Sequence, residues 1–118
     1  MIDWERVQEL KEEIGEDDFA EVAEMFMSEV EEVIARLQLV PDPATYEADL
    51  HFLKSSALNL GFSSLAGLCE DGERQSAAGD AEIVELAPIF ACYEASKAAF
   101  LPVQSMNSPI TSSSVTSV

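Results

Sequence analysis

The sequence predicts an all-α protein, an antiparallel up-and-down four-helix bundle with a short extra helix at the N-terminus. Apolar residues recur at steps of three and four through most of the chain, and no segment shows the alternating pattern of a strand bounded by turns. A chain of 118 residues suits one domain with a single core. Short loops between helices of this length favour antiparallel neighbours.

The first two helices are bounded by capping residues and a glycine. Asp3 can cap a short helix that ends before Gly15, which is a stop signal. The second helix is predicted to open at Asp18, whose spacing to Glu21 resembles a capping box, and to run to about Leu39. The predicted core faces are Trp4, Val7, Leu10 and Ile14 in the first helix, and Phe19, Val22, Ala23, Phe26, Val30, Val33, Ile34 and Leu37 in the second.

A third helix follows the break "VPDPAT". Asp42 is placed to cap it and Pro43 to occupy its first turn, and Gly61 is its predicted end.

Two further helices complete the predicted bundle. The fourth begins near Ser63 or Ser64 and uses Leu65, Leu68 and Cys69 for packing. Gly79 separates it from the last helix, which we predict to carry Ile83, Leu86, Ala87, Phe90, Tyr93, Lys97 and Phe100 on its helical spacing. Pro88 either kinks that helix or marks its true first turn. Residues 102–118 turn to Ser, Thr and Pro without periodicity, so we predict a bundle over 1–101 and a flexible tail over 102–118.

Composition narrows the classes of partner. The sequence contains 6 Lys and Arg residues and 23 Asp and Glu residues, which gives a net charge of −17. A surface with this charge repels phosphate backbones and anionic lipids. We therefore expect no nucleic-acid and no membrane partner. No apolar run approaches the roughly 20 residues that span a bilayer, and the acidic opening "MIDWERVQEL" is unlike a secretion signal, which predicts a cytoplasmic protein. Cys69 and Cys92 belong to no CxxC pair and are predicted to be reduced core thiols.

The third helix carries the only histidine, and helical geometry places it on the outside. At 100° per residue the apolar stripe consists of Tyr46, Leu50, Leu53, Ala57 and Leu60. His51 lies roughly 140° from the centre of that stripe, on the same face as Lys54, Ser55 and Leu58. We therefore predict an exposed imidazole beside a cation, a small residue and an exposed apolar side chain, which is typical of a docking surface.

The stretch "HFLKSSALNLG", His51 to Gly61, resembles the signature of histidine-containing phosphotransfer (HPt) domains, commonly H-x-L-K-G followed by small residues and a closing glycine. The order of predicted helices supports the resemblance over roughly residues 1–101. The resemblance implies that His51 is the phosphoacceptor and that Lys54 assists the phosphoryl group. Ser55 stands where the family usually has glycine, and with Leu58 it would face the partner.

The resemblance implies a phosphorelay carrier more than an enzyme. His51 would accept a phosphoryl group from an aspartyl phosphate on one receiver domain and pass it to an aspartate on another. The implied partners are response-regulator receiver domains and a hybrid or sensor histidine kinase, with this chain acting as a monomer. We expect no cofactor or metal on this chain, because the sequence places no carboxylate cluster beside His51, and we expect the receiver to bring the magnesium.

Two other classes of function stay open. One is an acidic helical adaptor, a pseudo-HPt domain that binds a receiver or kinase without phosphotransfer. Lys54 favours the carrier, because binding alone would not require a cation beside the ring. The other is a hydrolase with His51 as general base and Ser55, Ser56 and Asp49 as its local helpers. One helix surface cannot easily supply the converging groups that such a site needs.

Overall fold

The structure, a computed structural model, describes residues 2–106. Its five α-helices are α1 (Trp4–Ile14), α2 (Glu16–Leu39), α3 (Tyr46–Leu60), α4 (Ser63–Ala77) and α5 (Ala87–Met106), with 3₁₀ turns at Pro43–Thr45 and Ala81–Ile83. This part of the chain contains no strand, so the predicted all-α class is confirmed. The backbone of α5 continues past residue 102, and the rest of the predicted tail, 107–118, lies outside the described residues.

The junction between α1 and α2 is tighter than predicted. Asp3 caps α1 as expected, since its carboxylate accepts a hydrogen bond of 3.2 Å from the backbone N–H of Arg6. Gly15, with φ of 87°, ends α1 and serves at once as the N-cap of α2, which begins at Glu16. The predicted start at Asp18 is therefore wrong. Asp18 lies within the first turn, where its negative charge is favourable to the helix dipole.

The start of α3 also differs from the prediction. Asp42 does act as a cap, because its side chain accepts a hydrogen bond of 3.0 Å from the Ala44 N–H. The segment it caps is the 3₁₀ turn Pro43–Thr45, however, and α3 begins only at Tyr46.

Gly61 connects α3 to α4 and also contacts the N-terminus of α1. Its φ of 80° lies in the left-handed region that favours glycine. A Cβ at this position would lie 2.8 Å from the carbonyl oxygen of Asp3, and the Asp3 N–H donates to the Gly61 carbonyl over 2.6 Å. The same glycine therefore reverses the chain and lets the N-terminus of α1 rest on the turn between α3 and α4.

The last two helices are separated by a 3₁₀ turn that the sequence prediction did not include. Pro88 lies in the first turn of α5, which is one of the two positions that we predicted for it. Ile83 lies in the 3₁₀ turn and is exposed, whereas we predicted it within the last helix. The reason is that proline has no N–H and is tolerated in a helix only near its start, so the helix begins beside Pro88.

The core is continuous through the helices and contains most of the predicted apolar stripes. Its buried hydrophobic members are Val7, Leu10, Phe19, Ala23, Met27, Val30, Ile34, Leu37, Tyr46, Leu50, Leu53, Ala57, Leu60, Phe62, Leu65, Ala66, Cys69, Val84, Ile89, Tyr93 and Phe100. Trp4 was predicted on the buried side of α1, but it is exposed because α1 packs through Val7 and Leu10. Burial raises the pKa of the Cys69 thiol to about 12, while Cys92 is half-buried, and both are free.

The contact between α3 and α4 depends on Gly72. A Cβ at Gly72 would lie 2.7 Å from Cδ1 of Leu50 and 3.4 Å from Cγ1 of Val84. Glycine costs a helix about 1 kcal/mol relative to alanine, but here it allows α4 to approach α3 closely. No helix within residues 2–106 combines the length and apolar character that a membrane crossing needs.

Candidate functional site

His51 lies in the second turn of α3 with its ring in solvent. Its side chain is 62% exposed, whereas every residue of the predicted stripe on the opposite face is buried. The predicted orientation of α3 is therefore confirmed, and His51 is not a core histidine.

A carboxylate on α4 holds the His51 ring. Oε2 of Glu73 lies 2.9 Å from Nδ1 of His51, and its Oε1 lies 3.0 Å from Nζ of Lys54. We call these three residues the His51 cluster. The hydrogen bond from Lys54 lowers the pKa of Glu73 below its ordinary value, and the bond from His51 adds to this effect against the opposing influence of burial.

An ionised Glu73 fixes the arrangement of the His51 ring. A carboxylate can only accept a hydrogen bond, so Nδ1 carries a proton and donates it to Glu73. In the neutral ring, Nε2 then holds the free lone pair. Nε2 has no hydrogen-bond partner among the side chains that the structure describes, and the His51 side chain is 62% exposed.

The sequence prediction identified His51 and Lys54 but not Glu73. The acidic partner of Lys54 comes from the neighbouring helix α4 and not from α3 itself. A signal was present in the sequence, since His51 and Glu73 are equally far from Phe62, at the turn between α3 and α4. Because both helices rise 1.5 Å per residue, equal separation from the turn places the two residues at the same level.

The predicted docking residues lie on the same outward face as His51. Ser55 is exposed, and Leu58 is 54% exposed although it is a large apolar residue. On the other side of the ring, a shallow groove is lined by Ala44, Glu47, Ala48, His51 and Glu73. The imidazole therefore lies between an apolar patch and a groove with a carboxylate at its edge.

Of the three helpers of the hydrolase alternative, only Ser55 shares the outward face of His51. Ser56 is buried on the core side of α3, and Asp49 contacts Arg36 of α2 over 2.6 Å. Within residues 2–106, no group of three or more His, Cys, Asp or Glu side chains is arranged to hold a metal ion.

Comparison with protein families matches residues 21–99 to the Hpt domain. The matched segment includes the whole His51 cluster and runs from α2 into α5. Comparisons with curated proteins and with solved structures gave no match. Hpt domains act in two-component signalling, where they exchange phosphoryl groups with receiver domains and kinases and are carriers of the group rather than true enzymes. Because the match covers well over half of the 118 residues, this chain belongs to the Hpt domain family.

Proposed function

We propose that this chain is a phosphorelay carrier. His51 accepts a phosphoryl group from the aspartyl phosphate of one receiver domain and passes it to the aspartate of another. The observation that carries the proposal is the exposed imidazole whose Nδ1 contacts Glu73, beside the ammonium of Lys54. An adaptor that only bound its partner would need neither the exposed imidazole nor the cation.

Nε2 of His51 is the atom that bonds to phosphorus. The N–P bond forms as the bond between phosphorus and the aspartyl oxygen breaks, and the receiver regains a free carboxylate. The His51 ring keeps its Nδ1 proton and gains positive charge during this step. Glu73, 2.9 Å from Nδ1, stabilises that charge and needs no rearrangement to do so.

Lys54 acts on the other side of the reaction, where negative charge accumulates on the phosphoryl oxygens. Its side chain lies one turn from His51, and its ammonium is held by Glu73 at 3.0 Å. A charge-assisted hydrogen bond from this ammonium to a phosphoryl oxygen would stabilise both the transition state and the phosphohistidine. Glu73 therefore keeps Lys54 close to the ring while the site is empty.

The receiver approaches over Ser55 and Leu58. A small side chain at Ser55 leaves room beside the ring, and the apolar Leu58 offers area for contact. Both carboxylate oxygens of Glu73 are engaged by His51 and Lys54. We therefore place the residues that would hold magnesium on the receiver, where the ion would neutralise the charge of the transferring group.

The scaffold that we propose is a monomeric, cytoplasmic, antiparallel up-and-down bundle of α2 to α5. Contacts between α3 and α4 pair residue 51 with 73 and residue 50 with 72. Contacts between α2 and α5 pair residue 19 with 100 and residue 31 with 93. Between α2 and α5, residue numbers rise on one helix as they fall on the other, which supports antiparallel neighbours. The α3 and α4 helices are joined by a turn of only two residues, Gly61 and Phe62, and still meet at residues 51 and 73, which supports the same arrangement.

The proposal is tested by transfer from a purified receiver domain of the same organism that carries a labelled aspartyl phosphate. We expect label on this chain that is labile in acid and stable in base. His51 is the only histidine, so this stability identifies the residue. His51→Gln should accept no label while its melting temperature changes little, since surface substitutions usually cost less than about 0.5 kcal/mol. Label on His51→Gln would contradict the assignment, and binding of receivers without any transfer would identify an adaptor.

A further inference from the structure

We infer that the groove beside His51 docks a Lys or Arg side chain of the receiver, and that Glu47 is the residue that selects it. The inference rests on the proposed function, because it names the partner chemistry of the same site. The groove is the surface lined by Ala44, Glu47, Ala48, His51 and Glu73.

The groove has the shape and position to take a long side chain. Ala44 comes from the 3₁₀ turn and Ala48 from the first turn of α3, so its walls are small. Glu47 precedes His51 by four residues, which puts their Cβ atoms about 6 Å apart on one helix face. A side chain lying across the two alanines would therefore reach Glu47 while its own backbone stays beside the reacting ring.

Glu47 is free to bind such a side chain. It makes no hydrogen bond or ion pair with any residue that the structure describes, in contrast to Glu73, whose two oxygens are both engaged. Among the described residues, no Lys or Arg side chain is left over to pair with Glu47. The six basic side chains of this chain are engaged in the pairs Arg6–Glu9, Lys11–Phe19, Arg36–Asp49, Lys54–Glu73, Arg74–Asp71 and Lys97–Glu31.

The negative charge of this chain favours receivers that carry a cation where the two surfaces meet. This chain carries a net charge of −17, and it must meet a domain that presents an aspartyl phosphate. Repulsion between the two would slow their encounter unless the receiver carries cations where the surfaces meet. Lys and Arg suit the groove because their aliphatic stems can cover the alanines while the charged head reaches Glu47. Receivers without a cation at this point would be rejected, which is a means of discrimination.

The test compares two charge reversals that change net charge equally. Glu47→Lys alters the groove, and Glu32→Lys alters an exposed position on the outward face of α2. The donor is the labelled receiver domain that transfers fastest to the wild-type chain. We expect Glu47→Lys to slow this transfer on the order of tenfold at low salt, and Glu32→Lys by about twofold at most. Wild-type transfer should fall with added salt, and Glu47→Lys should lose most of that dependence.

A small anionic donor separates docking from chemistry. Phosphoramidate should label His51 in Glu47→Lys at least as fast as in the wild type, because the added cation attracts an anion. A receiver variant with its Lys or Arg reversed to Glu should recover transfer to Glu47→Lys. Equal slowing by Glu32→Lys, or no slowing by Glu47→Lys, would overturn the inference and leave the proposed carrier intact. A wild-type chain that no receiver can label would instead overturn the carrier, and this inference with it.

Discussion

Two clusters in this molecule each combine a ring, a glutamate and a lysine, and they differ in which of these groups is exposed. In the His51 cluster, Glu73 receives a hydrogen bond from a ring and an ion pair from the lysine one turn later. In a second cluster between α2 and α5, Glu31 receives the Tyr93 hydroxyl at 2.6 Å and Lys97 at 2.5 Å. We call the second set, Glu31, Tyr93 and Lys97, the Tyr93 cluster.

The exposure of ring and carboxylate is reversed between them. Tyr93 is 1% exposed, whereas the side chain of its partner Glu31 is 42% exposed. The ring therefore belongs to the core and the carboxylate charge lies at the surface. In the His51 cluster the Glu73 side chain is 21% exposed and the ring is in solvent. The same combination of residues therefore buries its ring between two helices in one place and exposes its ring to solvent in the other.

The direction in which the pKa of Tyr93 is shifted agrees with this difference. Burial raises the pKa of Tyr93 above its ordinary value, and the hydrogen bond to Glu31 raises it further. Tyr93 is thus a neutral hydrogen-bond donor with no access to a substrate. We expect substitutions in the Tyr93 cluster to change stability, and substitutions around His51 to change transfer.

The largest effect should follow Tyr93→Ala. Removing a buried aromatic ring usually costs about 3–5 kcal/mol of unfolding free energy, measured here by urea denaturation. Tyr93→Phe keeps the ring and loses the hydroxyl, so it should cost only about 1 kcal/mol. Folded protein of both variants should still accept label on His51, and a specific loss of transfer in Tyr93→Phe would break the separation between the clusters.

The second effect concerns bulk beside His51. Ser55→Trp places a large side chain on the receiver's approach, and reacting atoms must come within about 3–3.5 Å. Receiver-driven transfer should fall at least about a hundredfold, while circular dichroism stays unchanged because Ser55 is exposed. Phosphoramidate needs less room and should still label His51. If both donors fail on a folded variant, Ser55 acts on the histidine itself instead of on docking.

Lys54→Ala tests the cation and has a matched control in the other cluster. Loss of a charge-assisted contact to the transferring group should slow transfer about tenfold, with receiver binding largely kept. Lys97→Ala removes the equivalent lysine beside Tyr93 and should leave the transfer rate unchanged. Single-turnover transfer at saturating receiver measures both, and equal rates for Lys54→Ala and the wild type would reassign Lys54 to the solvated surface.

The sequence was most informative where structure is decided locally. The cap at Asp3, the end of α3 at Gly61 and the outward direction of His51 follow from neighbours within a few residues, and all three were predicted. Helical periodicity needs only spacing, so the buried stripe of α3 was predicted as well.

Features set by a second helix were harder to predict. Glu73 is one of 23 acidic residues, and only its separation from the turn at Phe62, which equals that of His51, connects it with the histidine. Helix propensity alone counts Gly72 as a cost to α4, because it contains no term for the approach of Leu50. The Tyr93 cluster was missed for the same reason, since Glu31 and Tyr93 are brought together only by packing of α2 on α5.

The smallest predicted effect is the pH dependence of stability, which we test by comparing Glu73→Gln with Glu31→Gln. Hydrogen bonds from Lys54 and Lys97, respectively, lower the pKa of the two carboxylates below the ordinary value of 4.5. A carboxylate with a lowered folded pKa stabilises the protein above its unfolded pKa, and the effect is lost as pH falls through the folded value. Each glutamine variant should therefore be less stable than the wild type at neutral pH, by at most about 1 kcal/mol because solvent screens both pairs. Urea denaturation at about pH 7 and at about pH 3.5 measures the difference, which should shrink at the lower pH as the wild-type carboxylates take up protons. A difference that stays constant between these pH values would show that the carboxylate charge contributes nothing. Only Glu73→Gln should also slow transfer, because only Glu73 contacts the reacting ring.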